Sequence, residues 1–159
     1  MSYHCMGGFT LLEVMIVVAL IAILATLALP SKVGQYNQAK IVETIELVDH
    51  YKGVIEVFYR STGNFPRDNQ ELGLPQPNEI VGNYLEGMLL EDGVMHLSLG
   101  QKLPQLKGQI ISIRPVYVAG SPLSPISWVC GYDAIPQGMI AAGQNRSTVE
   151  VSTLPGRCR

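Results

Sequence analysis

The chain has 159 residues, 47% of them apolar and 15% charged, with a formal net charge of −2 and three cysteines. That length suits one domain carrying an attached segment. The near-neutral balance gives no sign of nucleic-acid binding through bulk charge.

In chain order, residues 1–8 hold no Lys or Arg, only His4, and end on Gly7-Gly8. Two small residues there suit a protease that needs an extended, accessible backbone. Residues 9–29 form an apolar run of 21 residues that only Thr10, Glu13 and Thr26 interrupt. A helix of that length reaches roughly 30 Å, the thickness of a hydrocarbon core. An ionised Glu13 inside it costs at least roughly 2.5 kcal/mol on insertion scales, which points to a dedicated partner. Pro30 removes a backbone donor and clashes with the preceding turn, so a kink or local melting is expected there. Gly34 adds a second weak point.

Beyond them, Val42, Ile45, Val48, Ile55 and Phe58 recur at spacings of 3, 4 and 7, which reads as an amphipathic helix with one buried stripe. Ser61-Thr62-Gly63 followed by Pro66 ends it. The reading is one helix of roughly 50 residues, roughly 75–80 Å long. Residues 64–87 read as loop, with Pro66, Pro75 and Pro77. The period then changes to two. Residues 88–90 and 94–99 flank Glu91-Asp92-Gly93, an Asp-Gly hairpin signal. Met95, Leu97 and Leu99 face one way, His96 and Ser98 the other. Residues 109–114 and 126–130 are further strand candidates, with Trp128 sharing a core face with Ile126 and Cys130. Residues 131–159 show little periodicity. No nucleophile motif, Gly-rich phosphate loop or metal-ligand set is present, so no catalytic, cofactor-binding or metal residue is assigned. His50 and His96 stand singly, and Asn145-Arg146-Ser147 is a glycosylation-type triplet of weak signal.

The run Gly8-Phe9-Thr10-Leu11-Leu12-Glu13-Val14-Met15-Ile16 resembles the prepilin signature of type IV pilins and related pseudopilins. Thr62-Gly63-Asn64-Phe65-Pro66 is similar to that family's helix-exit segment. Ser127-Trp128-Val129-Cys130 and Leu154-Pro155-Gly156-Arg157-Cys158-Arg159 resemble the two ends of its C-terminal D-region. The eight-residue leader and Phe9 favour the type IVa subgroup. The resemblance implies cleavage by a prepilin peptidase between Gly8 and Phe9, and N-methylation of Phe9. It implies that Glu13 pairs with the Phe9 ammonium of a neighbouring subunit during assembly, which neutralises both buried charges. The implied fold is α+β: a long hydrophobic N-terminal helix packed on an antiparallel sheet of about four strands, with a disulfide-bounded C-terminal loop. Residues 1–8 are then a cleaved leader, 9–30 a transmembrane and filament-core helix, and 31–159 a periplasmic or extracellular head that includes the amphipathic helix half 31–62.

The implied function is a structural subunit of a type IV pilus. It is held in the inner membrane and then polymerised into a surface filament that serves adhesion, twitching motility or DNA uptake. The implied partners are other pilins, the prepilin peptidase and the pilus assembly machinery. The alternatives are a minor pilin, a type II secretion pseudopilin, or a DNA-receptor pilin of competence. The leader's lack of Lys and Arg, with Lys32 and Lys40 after the apolar run, would by charge alone favour the opposite orientation. The resemblance implies a cytoplasmic N-terminus.

Cys5 falls in the leader. In an exported head, Cys130 and Cys158 read as a disulfide worth roughly 3–4 kcal/mol. Unpaired thiols or half a metal site are the other readings of the pair, and no second Cys or His pair stands at ligand spacing. Charge is uneven. Residues 61–93 hold one cation against six carboxylates, and residues 94–159 hold six cations against two carboxylates. The two parts read as solvated surfaces, as complementary surfaces of neighbouring subunits that charge reversal of Arg146 and Arg157 would weaken, or, for Arg146, Arg157, Arg159, Lys102 and Lys107, as a DNA-binding cluster.

Overall fold

The computed structural model describes residues 9–27 and 32–159. The chain divides between Val33 and Gly34 into two compact units. The first contains helix α1 (Leu11–Leu27). Its N–H groups begin to be satisfied at Thr10, whose Oγ1 accepts from the Glu13 N–H at 3.3 Å. This is half of a capping box, with Glu13 in the N3 place. Thr26 returns its hydroxyl to the Ile23 carbonyl at 2.7 Å, so the other polar side chain of the helix is satisfied within it. Among the described residues no helix is both long and apolar enough to cross a membrane. The expected span over residues 9–30 and the expected kink at Pro30 run into residues outside those described, as does the leader with Gly8.

Helix α2 (Lys32–Val48) leads into the second unit and is followed there by α3 (His50–Thr62). Asp49 joins them with helical dihedrals of φ −59° and ψ −32°, and the junction is tightened by an i to i+3 bond from the Lys52 N–H to the Asp49 carbonyl at 3.2 Å. The amphipathic stripe is real, but its centre differs from the reading above. Ile41, Ile45, Val48, Ile55 and Tyr59 are buried, whereas Val42 and Phe58 are only partly so. The stripe shifts by one residue at each end because the sheet, not the helix alone, decides which flank is covered. Gly63 closes α3 with φ +75°, donating its N–H to the Tyr59 carbonyl at 2.8 Å.

Strands β1 (Leu85–Glu91), β2 (Val94–Leu99), β3 (Ile110–Tyr117) and β4 (Ser127–Cys130) follow in antiparallel order, with the two-residue β5 (Ile140–Ala141) paired to β3. Asp92 (φ +48°) and Gly93 (φ +80°) make the hairpin turn that the sequence promised. The cross-strand pairs Met88 with Leu97, Leu90 with Met95, and Leu97 with Ile111 set one apolar face. That face forms a single core with Ile41, Ile45, Val48 and Ile55 of the helices. Trp128 lies on the same face, half-buried, with its indole N–H donating to Glu56 Oε1 at 2.9 Å. The fold is therefore α+β, with a helix layer on an antiparallel sheet.

The tail is held by far more than the disulfide. β5 pairs with the end of β3, and the Thr148 N–H donates to the Ile110 carbonyl at 2.9 Å. Between these two points residues 142–146 cross the outer face of the sheet. The pairing partners are backbone groups, so side-chain periodicity carries no trace of them.

Candidate functional site: the apolar helix and a locked outer face

The N-terminal candidates divide as follows. Phe9 is 79% exposed and precedes α1. Every described side chain of the helix from Leu11 to Thr26 is exposed, and Glu13 makes no ion pair among the described residues. A helix apolar on all sides cannot remain in water, so α1 is a surface made to be covered. Gly8 and Pro30 lie outside the described residues.

Cys130 and Cys158 are joined, with Cα atoms 4.5 Å apart. The bond lies in the buried core of the head. Gly131 follows with φ +58°, and a Cβ there would lie 2.5 Å from the Cys158 carbonyl oxygen, so the close approach requires glycine. Among the described residues no group of three or more His, Cys, Asp or Glu side chains stands together as a metal site.

The outer face of the sheet holds a polar network that sequence reasoning missed. His96 is 3% exposed although it belongs to the face opposite the core. The Arg146 N–H donates to Ser112 Oγ at 2.8 Å, which leaves the Ser112 hydroxyl to donate to His96 Nδ1 at 2.9 Å. By this assignment of hydrogens, His96 carries its proton on Nε2, 3.5 Å from Glu91 Oε2. Arg146 Nη2 pairs with the same Glu91 oxygen at 2.6 Å. Burial lowers the His96 pKa below its ordinary 6.5, and the Arg146 charge lowers it further against an opposing pull from Glu91. Arg146 is thus paired within its own chain to Glu91 of the acidic part, with both side chains still partly exposed. The charge asymmetry in the sequence is partly closed inside the fold.

A second missed residue is Asn69, 4% exposed in the loop before β1. Its amide donates to the Pro75 and Met88 carbonyls, each at 3.1 Å, and its Oδ1 accepts the Leu90 N–H at 2.8 Å. One side chain thereby satisfies two backbone groups, those of Met88 and Leu90, on the outer edge of β1. An Asn in a Pro-rich loop carries no signal that separates this role from an ordinary turn.

Comparison with known proteins agrees across nearly the whole chain. Residues 4–29 match the prokaryotic N-terminal methylation motif, and residues 38–159 match the family described as Pilin (bacterial filament). A Neisseria gonorrhoeae protein named Type IV major pilin protein PilE is 30% identical over 159 residues of alignment, covering 96% of this chain and 93% of its own length. A fimbrial protein of Neisseria meningitidis serogroup B is 29% identical, with the same two coverages. A fimbrial protein of Moraxella nonliquefaciens is 35% identical over 85 residues, 54% of each chain.

Proposed function

This chain belongs to the pilin family of bacterial filament proteins, and from that premise we propose how its residues serve the filament. Its role is structural: it is a subunit of a type IV pilus, a surface filament of many such subunits. The finer steps are these. A prepilin peptidase cuts between Gly8 and Phe9, and Phe9 becomes the N-methylated first residue. The helix beginning with α1 holds the subunit in the inner membrane, with the head on the far side, until the assembly machinery draws it into the filament. There the apolar helices cover one another, and Glu13 meets the Phe9 ammonium of a neighbour. Pro30 supplies the point at which the helix yields under extension.

The observation that supports this reading best is α1 itself: 17 residues, apolar on every side and exposed from Leu11 to Thr26, with Glu13 as its single charge. A charge in that setting is tolerated only when a partner charge arrives with assembly. The bond between Cys130 and Cys158 suits an oxidising compartment.

The test is mass spectrometry of filaments sheared from the cell surface, together with the variant Glu13→Ala. An abundant chain that starts at N-methyl-Phe9 supports the reading, with loss of filaments in the variant while the processed subunit remains in the membrane. A processed chain present only in traces or only in membranes assigns a minor pilin or pseudopilin role instead. An uncut chain overturns the leader assignment.

A further inference from the structure

The head has a basic end. Three separate segments meet there: the first described turns of α2, the loop of residues 100–108, and the last residues of the tail. Asn37 donates to Gln105 at 3.2 Å, and Lys40 Nζ reaches the Lys102 carbonyl at 3.5 Å. On the other side of α2, Gln38 donates to the Ser152 carbonyl at 3.4 Å, and the Arg159 guanidinium approaches the same carbonyl at 3.4 Å. Lys40, Lys102, Lys107, Arg157 and Arg159 are carried on these segments, and none of them is in an ion pair with a carboxylate among the described residues. Glu43 and Glu150 are the only acidic side chains of the same segments, and Glu43 is occupied in accepting from Asn83 at 2.9 Å. The hairpin end differs in sign: it carries Asp68, Glu71, Glu91 and Asp92, with Arg146 already paired to Glu91.

Two further observations say what this end meets. It is where the chain enters the head from the apolar helix, since the head unit begins at Gly34. Beside the charges stands Tyr36, 62% exposed, with Lys40 Nζ 3.8 Å from its ring centroid. An exposed tyrosine next to unpaired lysines is the chemistry of a membrane–water boundary, where the ring sits among headgroups and the ammonium groups meet phosphate.

We propose that the basic end of the head, centred on Lys40, Lys102, Lys107, Arg157 and Arg159, docks on the anionic phospholipid surface of the membrane that holds the unassembled subunit. The contact restrains the head before assembly and is given up when the subunit leaves the bilayer. It rests on the proposed anchoring by the N-terminal helix.

The experiment uses the full chain reconstituted in vesicles of phosphatidylcholine alone or of phosphatidylcholine and phosphatidylglycerol in a 3:1 ratio. Labelling by an impermeant amine reagent is read residue by residue by mass spectrometry, with Lys52 as the reference away from the patch. The expected result is that phosphatidylglycerol slows labelling of Lys102 and Lys107 by about threefold or more relative to Lys52. High salt should abolish the difference, because screening shortens to about 3 Å at 1 M. Equal rates in the two lipids overturn the proposal. Protection already present in neutral vesicles and rising with protein density assigns the patch to a second copy and overturns it. Equal protection by short duplex DNA added to neutral vesicles assigns it to polyanions in general and overturns it too. Flotation of the chain with neutral vesicles reads the anchoring alone: failure there removes the anchor reading and this proposal together, whereas flotation without protection removes only this proposal.

Discussion

Two buried polar side chains decide how the head answers substitution. Asn69 makes three hydrogen bonds with backbone groups, two of them on β1. Asn69→Ala leaves those groups without partners, and a loss of about 2–3 kcal/mol is expected in urea denaturation of the full chain in mild detergent. His96 is held neutral by burial first and by Arg146 second. Its folded pKa lies below 6.5, so the unfolded chain binds the proton more readily. Stability is therefore full above pH 6.5 and falls as the pH drops through that value towards the folded pKa. Thermal melting from pH 8 to pH 5 should show this decline, and His96→Asn should flatten it. Arg146→Ala should cost less than about 1 kcal/mol at neutral pH, since the ion pair with Glu91 is well over a third exposed and screened. It should also weaken the acid sensitivity, because one of the two influences that lower the His96 pKa is removed. A flat melting profile in the unaltered chain would sink the account of His96.

At the scale of elements, the helices and the first hairpin were legible because each writes its own period. Apolar spacing marked α2 and α3, alternation marked β2, and Asp92-Gly93 marked the turn between β1 and β2. What was not legible is what reaches across elements. The shift of the helix stripe to Ile41 and Tyr59 depends on the sheet beneath it, β5 depends on backbone pairing, and residues 146–148 are held to β3 by the Thr148 N–H and by the hydroxyls of Ser112, Ser147 and Thr148, contacts that leave no periodic pattern. His96 sits in a correctly read alternating strand, yet only the crossing tail buries it. The hairpin turn is also a docking point. Gly93 donates its N–H to the Pro66 carbonyl at 2.8 Å, and a Cβ on it would lie 2.7 Å from the Phe65 ring. Phe65 in turn stacks on Tyr59 with ring centroids 4.2 Å apart. Gly93→Ala should thus cost about 2 kcal/mol or more, through a positive φ and displacement of Phe65. A stability unchanged in the same denaturation assay would show that the loop yields without cost.

For the whole molecule, the N-terminal motif within residues 4–29 and the paired cysteines were open to reading because each is a local departure from composition, whereas the basic end is assembled from three distant segments. The disulfide is expected to matter most to the tail. Cys130→Ser with Cys158→Ser should lower stability by roughly 3–4 kcal/mol, and hydrogen exchange should rise first in residues 131–159. Protection lost evenly over the head would contradict that. Helix α2 is the element through which the chain enters the head, and this has a mechanical meaning. Tension carried along a fibre would reach the head through this helical rod, whose Ile41, Ile45 and Val48 belong to the core shared with the sheet. Pulled along its axis, such a rod would give way when its side chains slip together, as in a lap joint, not one after another as in a zip. The bond from Cys130 to Cys158 joins β4 to the end of the tail and does not involve α2, so on that route resistance to drag would rest on the grip of aliphatic side chains, and a fibre stripped of its disulfide would tolerate heat less well yet bear nearly the same load.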